Sequence, residues 1–356
     1  MRLGTPRQAG LVSLGLTTAT VGLMLWRYAL CPVCGLHERG AAPQAPDAEP
    51  PPAEPPAGAA AEPMPELPPK EPPQDAPEAE LRYATAICAQ WSAAQASLPS
   101  SRWGGAVTGC ATGSISAEER GAALQLVNLY RRFADLVPID LDPSLDAAEQ
   151  RCALMLHANG ALSHDPPVAW ACWAQEGALA AGKSNIATLD AASAVARYMV
   201  DYGNESTMGH RRWILSESLE STSFGSTGEY SCMATRPGAG QPTRKFVAWP
   251  PDGLIPLEAG RIDGYDIDDI GWTVQSDVMR LEGAEVKVRG EGGAPLQVTV
   301  RALKPGFGSQ SAIAFTPVGW RAEAGRRYEI EVLTPGDVLR YAVMFVDCGA
   351  EGEVDD

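Results

Sequence analysis

The chain has 356 residues, 45% of them hydrophobic and 20% charged, enough to bury one or two globular cores. Its formal net charge of -16 would repel a polyphosphate, and only Arg211 and Arg212 beside His210 suggest a local basic patch, so nucleic acid is excluded as a partner.

Arg2 and Arg7 precede an uncharged apolar run over residues 9–26 that Arg27 closes. The run has about the minimum length of a membrane span and exceeds the usual core of a secretory signal. Residues 1–40 therefore read as a membrane anchor or a cleaved signal. Either way the remainder is expected to be extracytoplasmic, membrane-anchored or secreted, with the membrane engaged through this segment. Cys31 and Cys34 form a C-x-x-C with no strand and helix pattern around it, so a juxtamembrane disulfide or acylation site is favoured over a redox centre. Residues 41–80 are rich in Pro, Ala and Glu and cannot bury enough apolar area to offset their ordering entropy, which predicts a solvated spacer. Residues 81–114, with Cys88 and Cys110, read as a packed N-terminal extension of the folded part.

Ser116 and Glu119 are spaced as a capping box ahead of Leu126, Leu129, Tyr130, Phe133 and Leu136, and Pro138 ends that helix. A second helix starts at Asp142 and Pro143, carries Leu145, Ala148, Cys152, Met155 and Leu156 on one face, and stops at Gly160. A third runs from Asp190 through Val195, Tyr198, Met199 and Tyr202 to Gly203. Beyond Phe246 the period becomes two. Residues 284–288, 296–303, 311–315, 328–333 and 339–346 are alternating runs between Gly, Pro and Asp, which predicts a small antiparallel β-sandwich over 250–348 before an acidic tail at 349–356.

Cys88, Cys110, Cys152, Cys172, Cys232 and Cys348 are scattered rather than grouped as paired ligand sets, which argues for disulfides in an oxidising compartment. Joining nearest neighbours would pair Cys88 with Cys110 and Cys152 with Cys172, leaving Cys232 with Cys348; this is one of many arrangements. Trp170, Trp173 and Trp213 read as core or loop anchors before they read as a ligand groove. Asp263, Asp266, Asp268 and Asp269 lack EF-hand spacing and read as a solvated turn between domains.

Of four histidines, His37 lies in the tail and His157 near the end of the second helix. His164, in Leu162-Ser163-His164, and His210, opening Gly-His-Arg-Arg-Trp-Ile-Leu at 209–215, both fall just outside helices, where imidazole can face a cleft. Together with Ser184-Asn185-Ile186-Ala187 and the helix carrying Tyr198 and Met199, this ordered series over roughly 120–235 resembles the CAP superfamily of cysteine-rich secretory, antigen 5 and pathogenesis-related proteins in its bacterial form.

The resemblance implies an α-β-α sandwich over 115–240, hence an α+β chain in which that domain precedes the β-sandwich, with 209–215 opening a strand. It also implies a cleft in which two histidines and two acids hold a divalent metal, zinc or calcium. Carried over, the cleft comprises His164, His210, Asp201, Ser184 and Asn185, with His164 and His210 as metal ligands. The second acid falls on Ser184 and is missing; Glu176 and Glu205 are near enough in sequence to replace it. With one carboxylate lost, metal capacity is weakened. The favoured reading is a binding or adhesion module for an extracellular or envelope ligand, whether lipid, glycan or protein, with no catalytic residue assigned. A metal-dependent or Ser/His hydrolase in the same cleft and a purely structural envelope protein are the alternatives.

Overall fold

The computed structural model describes residues 77–239 and 241–349, all within one compact unit. The N-terminal apolar run, Cys31, Cys34, His37, most of the spacer and all but the first residue of the acidic tail lie outside them. Among the described residues no helix is long and apolar enough to cross a membrane.

Helix α1 (Pro77–Ala96) was not legible as a helix in the sequence, yet Tyr83, Ile87, Trp91 and Ala94 form a buried stripe at helical spacing. Helix α2 (Ala117–Phe133) opens as expected, the Ser116 hydroxyl accepting from the Glu119 amide. It buries Leu126, Val127, Leu129, Tyr130 and Phe133, each contributing about 1.5–3 kcal/mol on leaving water. Strand β1 (Asp140–Leu141) leads through a short turn capped by Asp142 into helix α3 (Asp146–Asn159), which Gly160 ends in the left-handed conformation. Helix α4 (Gln175–Ala181) and strand β2 (Ser184–Ala187) come next.

Two local expectations are corrected in the segment after β2. Helix α5 (Ala191–Val200) stops before Gly203, because Asp201 takes a left-handed conformation with φ of 60°. Residues Gly209–Ile214 form helix α6 rather than the opening of a strand. Strands β3 (Leu219–Thr222), β4 (Phe224–Ser226), β5 (Ser231–Ala234) and β6 (Arg236–Pro237) complete this half. Sheet β2-β5-β4 is antiparallel and packs on α3, while β1 and β3 pair in parallel.

The C-terminal half comprises β7 (Val247–Trp249), β8 (Gly253–Pro256), the hairpin β9 (Arg261–Ile262) and β10 (Tyr265–Asp266), the short helix α7 (Ile267–Ile270) and β11 (Trp272–Ser276). It continues with β12 (Glu285–Arg289), β13 (Pro295–Leu296), β14 (Val298–Ala302), β15 (Ser311–Pro317), β16 (Arg327–Leu333) and β17 (Val338–Val346). A four-stranded sheet, β14-β15-β11-β7, faces a five-stranded one, β13-β12-β16-β17-β8. Their facing side chains include Trp272 and Phe345, ring centroids 5.7 Å apart. The alternating strands stand within a residue or two of their expected places. The departure is β8, which pairs with β17 in parallel. One continuous apolar cluster joins both halves, with Tyr130 of α2 between Trp91 and Trp249 at 5.9 and 5.4 Å.

The disulfides are Cys88–Cys348, Cys110–Cys172 and Cys152–Cys232, so nearest-neighbour pairing is wrong at every cysteine. The physical reason is topological. Cys152 on α3 lies under Cys232 on β5, and α1 packs on β8, beside the strand that ends near Cys348. The basic patch is also overturned, since Arg211 and Arg212 are both fully buried. Nor are the acids of 263–269 a simple solvated turn: Asp268 is buried and accepts from Trp272 Nε1 at 2.8 Å and the Ala322 amide at 2.7 Å, while Asp269 pairs with Arg321.

Candidate functional site, a histidine-lined cleft

The left-handed turn at Asp201 sends its carboxylate back across the loop to α6. Asp201 is buried and its Oδ1 accepts from His210 Nδ1 at 2.8 Å and from Asn204 Nδ2 at 3.2 Å, while Oδ2 accepts from the Arg211 amide at 3.2 Å. A carboxylate can only accept, so Nδ1 of His210 carries a proton, and in the neutral ring the lone pair is on Nε2. Exposed His164 stands on the loop after α3 in the same state, because its Nδ1 lies 2.7 Å from the carbonyl of Ala181 at the end of α4. The two imidazole centroids are 6.5 Å apart. Tyr198 lies 5.0 Å from His210 on the side of the helix core.

Helix α6 is held from behind by buried arginines. Arg211 donates to the carbonyls of Met199, Val200 and Gly271, and Arg212 to those of Thr207, Lys304 and Ser309 and to the Ser309 hydroxyl. Arg131 adds bonds to the carbonyls of Ile214 and Ser216. Desolvation draws the Arg211 and Arg212 guanidiniums down to about 10, so both stay charged at neutral pH. Asn185 Nδ2 donates to the His210 carbonyl at 3.0 Å, tying strand β2 to the same turn.

Ser184 is buried and does not meet a histidine; its hydroxyl donates to Glu149 Oε2 at 2.8 Å. Of the two substitute acids, Glu176 pairs with Arg151 at 3.1 Å and Glu205 accepts from the Gly203 amide at 2.9 Å, both on the surface. The acid that sequence reasoning missed is thus Glu149, on the core face of α3. The signal was present, because position 149 falls on the apolar stripe that runs through Leu145, Cys152 and Leu156. Burial pushes the Glu149 carboxyl up to about 8; the Ser184 hydrogen bond opposes this shift and Asp146 adds to it. The sulfurs of Cys152 and Cys232 lie within 4.8 Å of the Glu149 carboxylate, but they are bonded to each other and offer no thiolate.

Two imidazoles with Nδ1 anchored and no partner on Nε2 among the described residues fit a transition-metal ion better than calcium, which takes oxygen ligands. Among the described residues no serine, threonine or cysteine hydrogen-bonds to either ring of this pair, so no Ser/His dyad is formed. Trp170 and Trp173 are half-buried against the α3 cluster, as anchors. Comparison with curated proteins and with solved structures gives no match. The segment 124–233, which spans α2 to β5 and carries both histidines, matches the model of the CAP, cysteine-rich secretory protein family, and the chain therefore carries a CAP domain.

Proposed function

We propose that the chain is an extracytoplasmic binding module whose histidine pair takes up zinc and, through it, a ligand from outside. The observation that carries this reading is the shared state of two neighbouring rings: each Nδ1 is held by an acceptor, neither Nε2 has a hydrogen-bond partner among the described residues, and the centroids stand 6.5 Å apart. Metal-binding histidines are oriented in this way by a carboxylate or a carbonyl on the second nitrogen. Asp201 and the Ala181 carbonyl perform that role here, and Asn185 and Arg211 fix the turn that carries His210. With two protein ligands the ion would keep open positions, which suits recognition of an external donor. Three disulfides support an oxidising compartment, and thus export.

A second reading, metal-assisted hydrolysis, rests on the Asp201–His210 pair, whose geometry also suits a base that takes a proton from water. Calorimetric titration of the protein with zinc and calcium tests the leading reading. Zinc binding that is lost in a His164→Ala, His210→Ala double variant is expected; absence of binding in the wild type would refute it.

A further inference from the structure

The residue that packs against Gly209, next to His210 in the chain, is contributed from outside the CAP domain. The loop between β14 and β15 reaches back to α6, where Arg212 grips its two ends through the carbonyls of Lys304, at 2.7 Å, and Ser309, at 3.0 Å. The Lys304 amide in turn donates to the carbonyl of Ser206. Gly306 and Gly308, with φ of 84° and 70°, bend the chain on either side of Phe307. Gly308 has no room for a side chain, since a Cβ there would stand 2.4 Å from the Arg212 carbonyl oxygen.

This loop sets the Phe307 ring directly over Gly209, the residue before His210. A Cβ on Gly209 would lie 2.9 Å from Phe307 Cδ1 and 3.5 Å from Asn204 Nδ2, and Asn204 is itself bonded to the Asp201 that orients His210. Phe307 and Asn204 thus flank Gly209, and Asn204 leads through Asp201 to His210. Yet Phe307 remains 36% exposed. An aromatic residue on a loop whose backbone is held at both ends, and which still shows a third of its surface, has apolar area available to a ligand.

The geometry points to Phe307 as the specificity-determining wall of the histidine cleft, selecting ligands that carry an apolar group directly beside the head that meets His164 and His210. This rests on the zinc-binding reading of the cleft and adds a selection that the histidines alone do not make. It also gives the β-rich half a part in recognition.

The test uses two hydroxamates that differ only in their apolar group, acetohydroxamate and benzohydroxamate, titrated into the zinc-loaded full chain. The zinc titration is run first and reports on the histidines alone. Wild type is expected to prefer the aryl compound, and Phe307→Ala to lose about three- to ten-fold of that preference, the scale of one aromatic contact, with zinc affinity unchanged. Phe307→Leu, which keeps the loop packed, is expected to fall between and carries the test should the alanine variant not fold. Zinc binding with an identical aryl preference in wild type and variants would overturn the assignment of Phe307. Failure of wild type to bind zinc would instead refute the histidine reading, and this proposal with it.

Discussion

Ser184 donates its hydroxyl proton to Glu149 at 2.8 Å, joining strand β2 to helix α3 beneath the sheet and beside the Cys152–Cys232 disulfide. With burial holding the Glu149 carboxyl near 8, it is mostly neutral at pH 7 in the folded protein and ionised in the unfolded chain. The folded state thus binds more protons than the unfolded one. Stability from this group is full below pH about 4.5, the unfolded value, and declines as pH rises through about 8. Each unit in that window is worth about 1.4 kcal/mol at most. Urea unfolding across pH 5 to 9 should show this decline, and Glu149→Gln should flatten it and be the more stable protein at pH 8. A profile that is unchanged in the variant would place the dependence elsewhere.

Arg212 is the bolt between α6 and the β14–β15 loop. Its buried guanidinium meets four acceptors, Thr207 O, Lys304 O, Ser309 O and Ser309 Oγ, in a planar fork that an ammonium cannot reproduce. Arg212→Lys is therefore expected to cost roughly 2 kcal/mol or more, through carbonyls left unpaired in the interior. Ser309→Ala removes one hydroxyl and should cost about 1 kcal/mol. Denaturant midpoints at constant slope measure both, and an Arg212→Lys protein as stable as wild type would show that the loop is not held from this side.

These contacts explain which parts of the fold were legible. The strands β12, β16 and β17 alternate exposed and buried residues, and their period of two was plain in the sequence. Strand β11 is buried at every position, because its Trp272 and Val274 face the sandwich core while Thr273 and Gln275 receive or give hydrogen bonds at α6. Its alternation of apolar Trp272 and Val274 with polar Thr273 and Gln275 spans only four residues, so it went unread. The histidines and Asp201 were legible through ordered motifs. The place of Glu149 on the buried stripe of α3 was also legible, but its meeting with Ser184 was not, because it depends on a register between α3 and β2 that spans 35 residues. The disulfide pairing failed for the same reason, since sequence proximity says nothing of which helix lies under which strand.

Cys88–Cys348 joins residues 260 apart and ties α1 to the end of the β-rich half. Closing so long a loop restricts the unfolded chain by up to roughly 5 kcal/mol in the chain-entropy picture. A Cys88→Ser, Cys348→Ser double variant should lose several kcal/mol and admit protease first within α1, whose inner face rests on few side chains such as Ile87 and Trp91. Thermal unfolding together with limited proteolysis would reveal it. Loss of stability without early cleavage in α1 would mean that the crosslink acts only on the unfolded chain.

Asp201 holds His210 by a single hydrogen bond at 2.8 Å and at the same time accepts from the Arg211 amide, so it fixes both the ring and the turn beneath it. Asp201→Asn keeps an oxygen able to accept from Nδ1 but removes the charge that makes Nε2 a stronger donor to an ion. If His210 is a zinc ligand, the variant should bind zinc about 10- to 100-fold more weakly, the usual consequence of losing such a partner. Asp201→Ala should be weaker still, since the ring then has nothing to orient it. Calorimetry on folded variants measures this, with circular dichroism as the control for fold. Unchanged zinc affinity in both variants would show that the ion is held without His210, and the cleft would have to be read through His164 and other donors.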